Sequence, residues 1–393
     1  MNANAPALSA AGSGQDITGS GPLADSALEL ARAVLIHGPL SRGELSERIG
    51  LSNASLTRLS KPLLDAGIVD DGDVVSDGSV GRPLRLLDVR KEAQHFVGIK
   101  VTGDSVQGVL TDLRANVLAM AVRPLGGTGI DAVVPALVGV VEELRESAPT
   151  ALTGVGISVG GHVSADNVVR RAPFLGWRDV PLGGLVEARL GLPVVVDNDV
   201  TALVAAEQWF GVGRNVASFA VITVGAGVGY GLAVNDHVIR TPDAGLGLGG
   251  HLPLDPAGPL CMDGHRGCST AMLSIPSICT QISTALARTV GYDEALGLAA
   301  EGNPVAVAVM EAAGKALGRM IAVAANLAMV GTVVLGGEGI GVYNSMESTV
   351  RAALAADRDP EASAVNLVVM SAEFDQWARG AAAVAIQKLA FVA

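Results

Sequence analysis

Cysteine is nearly missing from this chain. Cys261, Cys268 and Cys279 are the only three in 393 residues, so no disulfide framework carries the fold, and metal binding or plain burial is left for the thiols. Long apolar runs are missing too, although the mean hydropathy is positive. The uncharged stretch 215–235 is interrupted by Gly225, Gly227, Gly229 and Gly231 and reads as strands and turns, while 321–337 passes from an alanine-rich helix into a β-branched strand. Neither is a continuous span of about 20 apolar residues, which argues against a membrane protein. Residues 1–22, rich in Ala, Gly, Ser and Pro, lack the basic start and apolar core of a signal peptide. They predict a disordered tail and a cytoplasmic location. Positive charge is also scarce: 27 Lys and Arg stand against 39 Asp and Glu, a net charge of −12. That balance excludes indiscriminate binding to nucleic acid, yet leaves room for one small DNA-binding module in an acidic protein.

Such a module is legible at residues 23–90. "SALELARAVLIHGPL" sets Leu28, Leu30, Ala31, Val34 and Leu35 on one helical face and stops at Gly38-Pro39. "SRGELSERIGL" opens a second helix with Ser41 and Glu44 at capping-box spacing. After a tight turn at Gly50, Ser52 caps a third, "NASLTRLSKPLLDAG", which turns Leu56, Leu59, Leu63 and Leu64 inward and Asn53, Ser55, Thr57, Arg58, Ser60 and Lys61 outward. Pro62 is expected to bend it. No acid occurs from Leu51 to Leu64. Two short strands around a Gly/Asp/Ser loop follow, with Arg82 in "GRP" placed to enter a minor groove. The pattern is a winged helix-turn-helix whose third helix reads DNA. The competing reading is a helical interaction module, because residues 25–90 hold eight basic and ten acidic side chains.

From residue 94 to 393 strands alternate with helices, as in an α/β protein. The segments starting at Phe96 and Phe219 share one layout of strand, small-residue turn, strand, polar turn, strand. Such a duplication predicts two lobes with a ligand cleft between them. "LPVVVDND" delivers Asn198 and Asp199 to a helix start, where Asp199 reads equally as a general base or as an N-cap. Gly225, Gly227 and Gly229 could cradle phosphate or simply permit close packing. The helix "PVAVAVMEAAGKALGRMIAVAANLAMV" could support oligomerisation or core packing.

The motifs "SLTRLSKPLLDAGIV", "GRP", "GWRDVPLGGLVEARLGLPVVVDND", "TVGAGVGYG", "GGHLPLD" and "CMDGHRGC", in this order, resemble the ROK family of repressors, open reading frames and sugar kinases. The resemblance implies an N-terminal winged helix-turn-helix joined to a two-lobed, actin-like α/β sugar-kinase domain, assembled as a homodimer or homotetramer. It implies that Asp199 matches the base that deprotonates the sugar hydroxyl, and that Asn198 and His251 match sugar-holding positions. Phe174, Leu248 and Thr270 stand where the family carries further sugar contacts, so a conventional hexose site is expected to be largely dismantled. Lys100 and Asp104 alter the first phosphate loop and Ala226 alters the second, while Gly225, Gly227 and Gly229 remain as its remnant; no useful kinase activity is expected.

The family's zinc motif is matched by His251, Cys261 and Cys268, with Asp263 in place of the middle cysteine and His265 as a possible substitute; a structural Zn2+ follows from that match. The expectation is a DNA-binding transcriptional regulator, in the first place a repressor. Its partners would be a double-stranded operator with an inverted repeat and a sugar or sugar-derived effector. The alternative is an active sugar kinase that uses Asp199 as base and carries a DNA-binding domain.

Overall fold

The computed structural model describes residues 25–75, 84–371 and 375–391. The expected tail at 1–22 and the wing tip with Arg82 lie outside these residues. The chain divides after Ala93, and its second unit runs from Gln94 to Ala390.

The first unit begins with α1 (Asp25–His37), β1 (Leu40–Ser41), α2 (Arg42–Ile49) and α3 (Asn53–Asp65), followed by β2 (Val69–Val75) and β3 (Leu84–Val89). Leu30 and Val34 of α1, Leu45 of α2, and Leu56 and Leu63 of α3 are fully buried, so each helix gives its apolar stripe to one small core. Both predicted caps form. Ser41 Oγ accepts from Glu44 N at 3.2 Å while Ser41 N donates back to Glu44 Oε2 at 2.7 Å, and Ser52 Oγ accepts from Ser55 N at 3.3 Å. α3 carries through Pro62 to Asp65. The strands pair in the order β1-β3-β2, all antiparallel.

The second unit holds two five-stranded sheets of one design. The first comprises β4 (His95–Val101), β5 (Ser105–Thr111), β6 (Val117–Pro124), β7 (Leu152–Val159) and β11 (Val194–Asn198), in the order β11-β7-β4-β5-β6. Helix α4 (Ile130–Glu146) links β6 to β7. A small sheet of β8 (His162–Val163), β9 (Val169–Ala172) and β10 (Trp177–Val180), then α5 (Leu182–Leu190), precede β11.

After α6 (Asp199–Phe210) the design repeats. β12 (Phe219–Val224), β13 (Val228–Val234), β14 (His237–Val238), β15 (Thr332–Gly336) and β16 (Asn366–Val369) pair in the order β14-β13-β12-β15-β16. Helices α7 (Ser269–Leu273), α8 (Ile275–Leu286), α9 (Tyr292–Ala300) and α10 (Pro304–Ala328) lie between β14 and β15, and α11 (Gly341–Ala356) between β15 and β16. In both sheets the first three strands are antiparallel and the last two join in parallel. β4 and β12 are the middle strands and are buried throughout, as strands covered on both faces must be.

Met310, Leu317 and Ile321 of α10 are fully buried in the core of the second half, so core packing accounts for that face of the helix, while Leu327 near its end is exposed. The final helix, α12 (Asp375–Leu389), returns to the first sheet. It lies so close that a Cβ at Gly98 would overlap the Ala378 carbonyl oxygen, and one at Gly156 that of Ala381. Among the described residues no helix is long and apolar enough to cross a membrane.

Candidate functional site

A cleft of about 570 Å³ opens at the ends of the central strands, lined from the β4–β5 and β12–β13 turns, the start of α6 and the 239–249 loop. Register puts the key groups there. Lys100 pairs with Ser158 on β7, and Ser158 with Asp197 on β11, so Asp199 arrives at the strand ends two residues beyond that row. The Lys100 side chain, on a residue only 7% exposed, donates from Nζ to Asp199 Oδ2. It also lies 4.9 Å from the centre of the Trp377 ring, a cation–π contact.

The other Asp199 oxygen is occupied as well. Oδ1 accepts from Val200 N at 2.9 Å and from Asn198 Nδ2 at 3.2 Å. The helix cap is Asn198 rather than Asp199: its Oδ1 accepts from Thr201 N at 3.0 Å, and its Nδ2 also donates to Gly161 O at 2.9 Å. Asn198 thus spends its hydrogen bonds within the protein, on the backbone of Thr201 and Gly161 and on the side chains of Asp199 and Thr201.

The phosphate loops are closed on themselves. In the first, Thr102 Oγ1 lies 2.6 Å from Asp104 Oδ1, and hydrogen bonds from Thr102 and then Ser105 hold the Asp104 carboxyl below the usual carboxylate range. In the second, Gly225 N donates to Gly227 O at 2.9 Å, and the Glu338 carboxylate packs where a Cβ on Gly225 would be. Of the alternating glycines, Gly225 and Gly227 face the cavity, whereas a Cβ at Gly229 or Gly231 would strike Val200 or Val204 of α6. Gly229 thus allows close packing against α6 while its backbone still lines the cleft with Gly225 and Gly227.

Phe174 and Leu248 line the cavity with 62% and 66% of their surface exposed, joined by Tyr230, Ile239 and Leu246. Two expected ligand positions are not on its wall. Thr270 Oγ1 donates to Gly250 O at 2.7 Å, and His251 turns toward the thiols. Sequence reasoning missed Trp377 and Glu338, which stand in none of the quoted motifs, and Tyr230, which stands in "TVGAGVGYG" beside the glycines that drew attention there. The lone lysine in a buried strand was the available signal for the ion pair.

The loop 252–268 folds back so that Leu254 N and Asp255 N both donate to Gly267 O. Its tip is a tight turn, with Cys261 N donating to His265 O at 2.9 Å and Gly264 N to Cys261 O at 3.0 Å. His251 Nδ1 lies 3.9 Å from Cys261 Sγ and 3.8 Å from Cys268 Sγ, and His265 Nδ1 lies 3.5 Å from Cys261 Sγ. Tetrahedral zinc bonds of about 2.3 Å to sulfur and 2.0 Å to nitrogen place S and N about 3.5 Å apart, so the atoms of His251, Cys261 and His265 fit one ion.

The expected ligand Asp263 stands outside this cluster. Asp263 Oδ2 sits 3.3 Å from His251 Nε2, on the far side of the ring, while the ligand atoms of His251, Cys261 and His265 cluster within 4.8 Å. The turn explains it: Cys261 and His265, four apart at its two ends, face each other, while Asp263 at its apex meets His251 on the ring nitrogen away from the thiols. Burial pushes the Cys261 thiol up, but hydrogen bonds from the His265 and Asp263 backbone outweigh it and leave the thiol below its ordinary value; burial raises Cys268.

On α3, Asn53, Thr57, Arg58 and Lys61 are exposed and Ser55 is half-buried beside the cap. Among the described residues neither Arg58 nor Lys61 forms an ion pair. Ser60 was expected outward but is 1% exposed, because it falls between Leu56 and Leu63 on the packed face.

Comparison with known proteins gives a consistent picture. The model of the ROK family matches residues 96–388. The xylose repressor of Bacillus subtilis (strain 168) is 28% identical over 274 residues, 69% of this chain and 71% of that protein. The DNA-binding transcriptional repressor Mlc of Escherichia coli (strain K12) is 25% identical over 304 residues, 74% of this chain and 75% of that one. Among solved structures, a ROK family transcriptional regulator described as a homologue of the E. coli MLC protein matches 92% of this chain and 96% of its own, with TM-score 0.77 and 26% identity. A ROK hexokinase from Thermus thermophilus matches 75% of this chain and 99% of its own, with TM-score 0.64 and 26% identity.

Proposed function

The chain belongs to the ROK family, and on that premise we propose that it is a sequence-specific DNA-binding transcriptional repressor with a non-catalytic, kinase-like effector unit. The observation that carries this is the pairing of Lys100 with Asp199. A general base needs an oxygen free to take the substrate's proton, and here one oxygen holds an ammonium and the other accepts two N–H groups. Selection then has a reason to retain the fold for sensing and not for turnover.

DNA contact falls to α3, through Asn53, Ser55, Thr57, Arg58 and Lys61, with Arg82 of the wing reaching the minor groove. A homodimer or homotetramer would present two such helices to an inverted-repeat operator in the cytoplasm. The cleft is the effector site, lined by Asn198, Asp199, Phe174 and Leu248. A small-molecule effector acts there by binding DNA-competent and incompetent states with different affinity. His251, Cys261, His265 and Cys268 would hold a structural Zn2+, which when bound cross-links the 252–268 loop to the 3-10 turn carrying His251. Asp263 would orient the His251 ring from its other nitrogen.

Selection of bound fragments from the host's genomic DNA by the purified protein tests the reading. One enriched inverted repeat is the expected result. Absence of any specific fragment, together with ATP turnover that Asp199→Asn abolishes, would replace it with the sugar-kinase alternative.

A further inference from the structure

The cleft's chemistry is unlike that of a sugar site. One lysine and three acids line it: Lys100, Asp199, Asp243 and Glu338. Lys100 and Asp199 neutralise each other. Among the described residues Asp243 and Glu338 have no ion-pair partner, so the wall carries two uncompensated carboxylates and no free cation. An apolar surface of Phe174, Tyr230, Ile239, Leu246 and Leu248 forms much of the mouth, with Trp377 behind Lys100; Thr102, Asn198, Thr223 and Thr241 are the uncharged polar side chains of the lining.

Glu338 is the better placed acid. It follows the glycine turn at the end of β15, is half-buried, and sets its carboxylate against Gly225 in the loop that would otherwise approach a phosphate. A phosphate brought there meets like charge. A polyhydroxylated ring meets Phe174 and Leu248, which can return none of its lost hydrogen bonds to water.

Resting on the reading of this cleft as the effector site, we propose that its ligand is an amine with an aromatic or otherwise apolar body, the ammonium on Glu338 and the body among Phe174, Tyr230 and Leu248. An ammonium gains a charge-assisted hydrogen bond from an unpaired carboxylate and a further attraction from aromatic faces nearby. The apolar body removes water from side chains that the fold leaves exposed.

The test is calorimetric titration of the full chain with tryptamine, with indole-3-propionate, which has a carboxylate in place of the amine on the same ring and linker, and with glucose. Tryptamine is expected to bind at least about tenfold more tightly than the acid, and glucose more weakly than either. Glu338→Gln should remove most of the amine's advantage, whereas Leu248→Ala should weaken both indoles alike; both positions are at least partly exposed, and circular dichroism checks that each variant folds. Equal or tighter binding of the acid, tighter binding of glucose, or no saturation by either indole overturns the proposal. Fragment selection on genomic DNA runs alongside without ligand. An enriched repeat with no amine preference sinks the ligand class alone, while an amine preference without any enriched fragment supports the ligand class and sinks the repressor reading.

Discussion

The Lys100 ammonium sits on the Asp199 carboxylate beneath the Trp377 ring, so the cleft contains its own counter-ion. Both side chains are largely buried, at 9% and 15% exposed. Removing one member of such a pair strands the other. Lys100→Met should cost about 3 kcal/mol of stability, read as a lowered midpoint in thermal unfolding, and Lys100→Met combined with Asp199→Asn should recover most of it. Equal destabilisation by the single and double variants would show that the pair contributes nothing.

Purified protein should turn over no ATP with a broad panel of sugars, and Lys100→Asp alone should not restore turnover. Asp104 and Glu338 still oppose phosphate in the two loops. Turnover by the wild-type chain would contradict the effector reading directly.

On α3, Arg58→Ala and Lys61→Ala should each weaken operator binding. A side chain that reads a base should cost about 1–3 kcal/mol and relax preference at one position, whereas one that meets phosphate should lower the salt slope by about one. Competition binding at several salt concentrations separates the two. Ser60→Ala, on the packed face, should leave the salt slope unchanged.

The metal loop offers a sharper choice. His265→Ala should abolish zinc retention measured by elemental analysis, because its Nδ1 faces Cys261 Sγ. Asp263→Asn should keep the metal with affinity lowered by about 10- to 100-fold, as for a partner that orients a ligand. The reverse ranking would return Asp263 to the ligand set.

The Ser41–Glu44 box makes a pH prediction. The Ser41 backbone N–H, then its hydroxyl, hold the Glu44 carboxyl below its ordinary 4.5. A carboxyl depressed in the folded state contributes stability above its unfolded value, lost as pH falls through the folded one. The first unit should therefore weaken below about pH 4.5, and Glu44→Gln should flatten that part of the profile. Glu44 is exposed, so the effect is small; Ser41→Ala should cost about 1 kcal/mol at neutral pH.

What the sequence disclosed and what it withheld divide by distance along the chain. The caps at Ser41 and Ser52 depend on residues three apart, and the twin hairpins on alternation within 20 residues or so, which spacing encodes directly. Lys100 and Asp199 are 99 positions apart, and only the parallel register of β4, β7 and β11 brings them together. Ser60 and Thr270 were misjudged for a related reason: a small hydroxyl is as readily satisfied by a nearby carbonyl, Thr57 O at 3.2 Å and Gly250 O at 2.7 Å, as by a ligand. The exchange of Asp263 for His265 turned on the direction of a five-residue turn, which residue type alone does not fix.

The last helix, α12, lies on the first sheet of the second unit, against glycines that leave no room for anything but its backbone. During synthesis the first sheet therefore waits, one face bare, until α12 has left the ribosome. A stop codon anywhere before Asp375 would deny that sheet its cover and deprive Lys100 of Trp377. Premature termination would thus yield a chain fit for proteolysis rather than a shorter regulator.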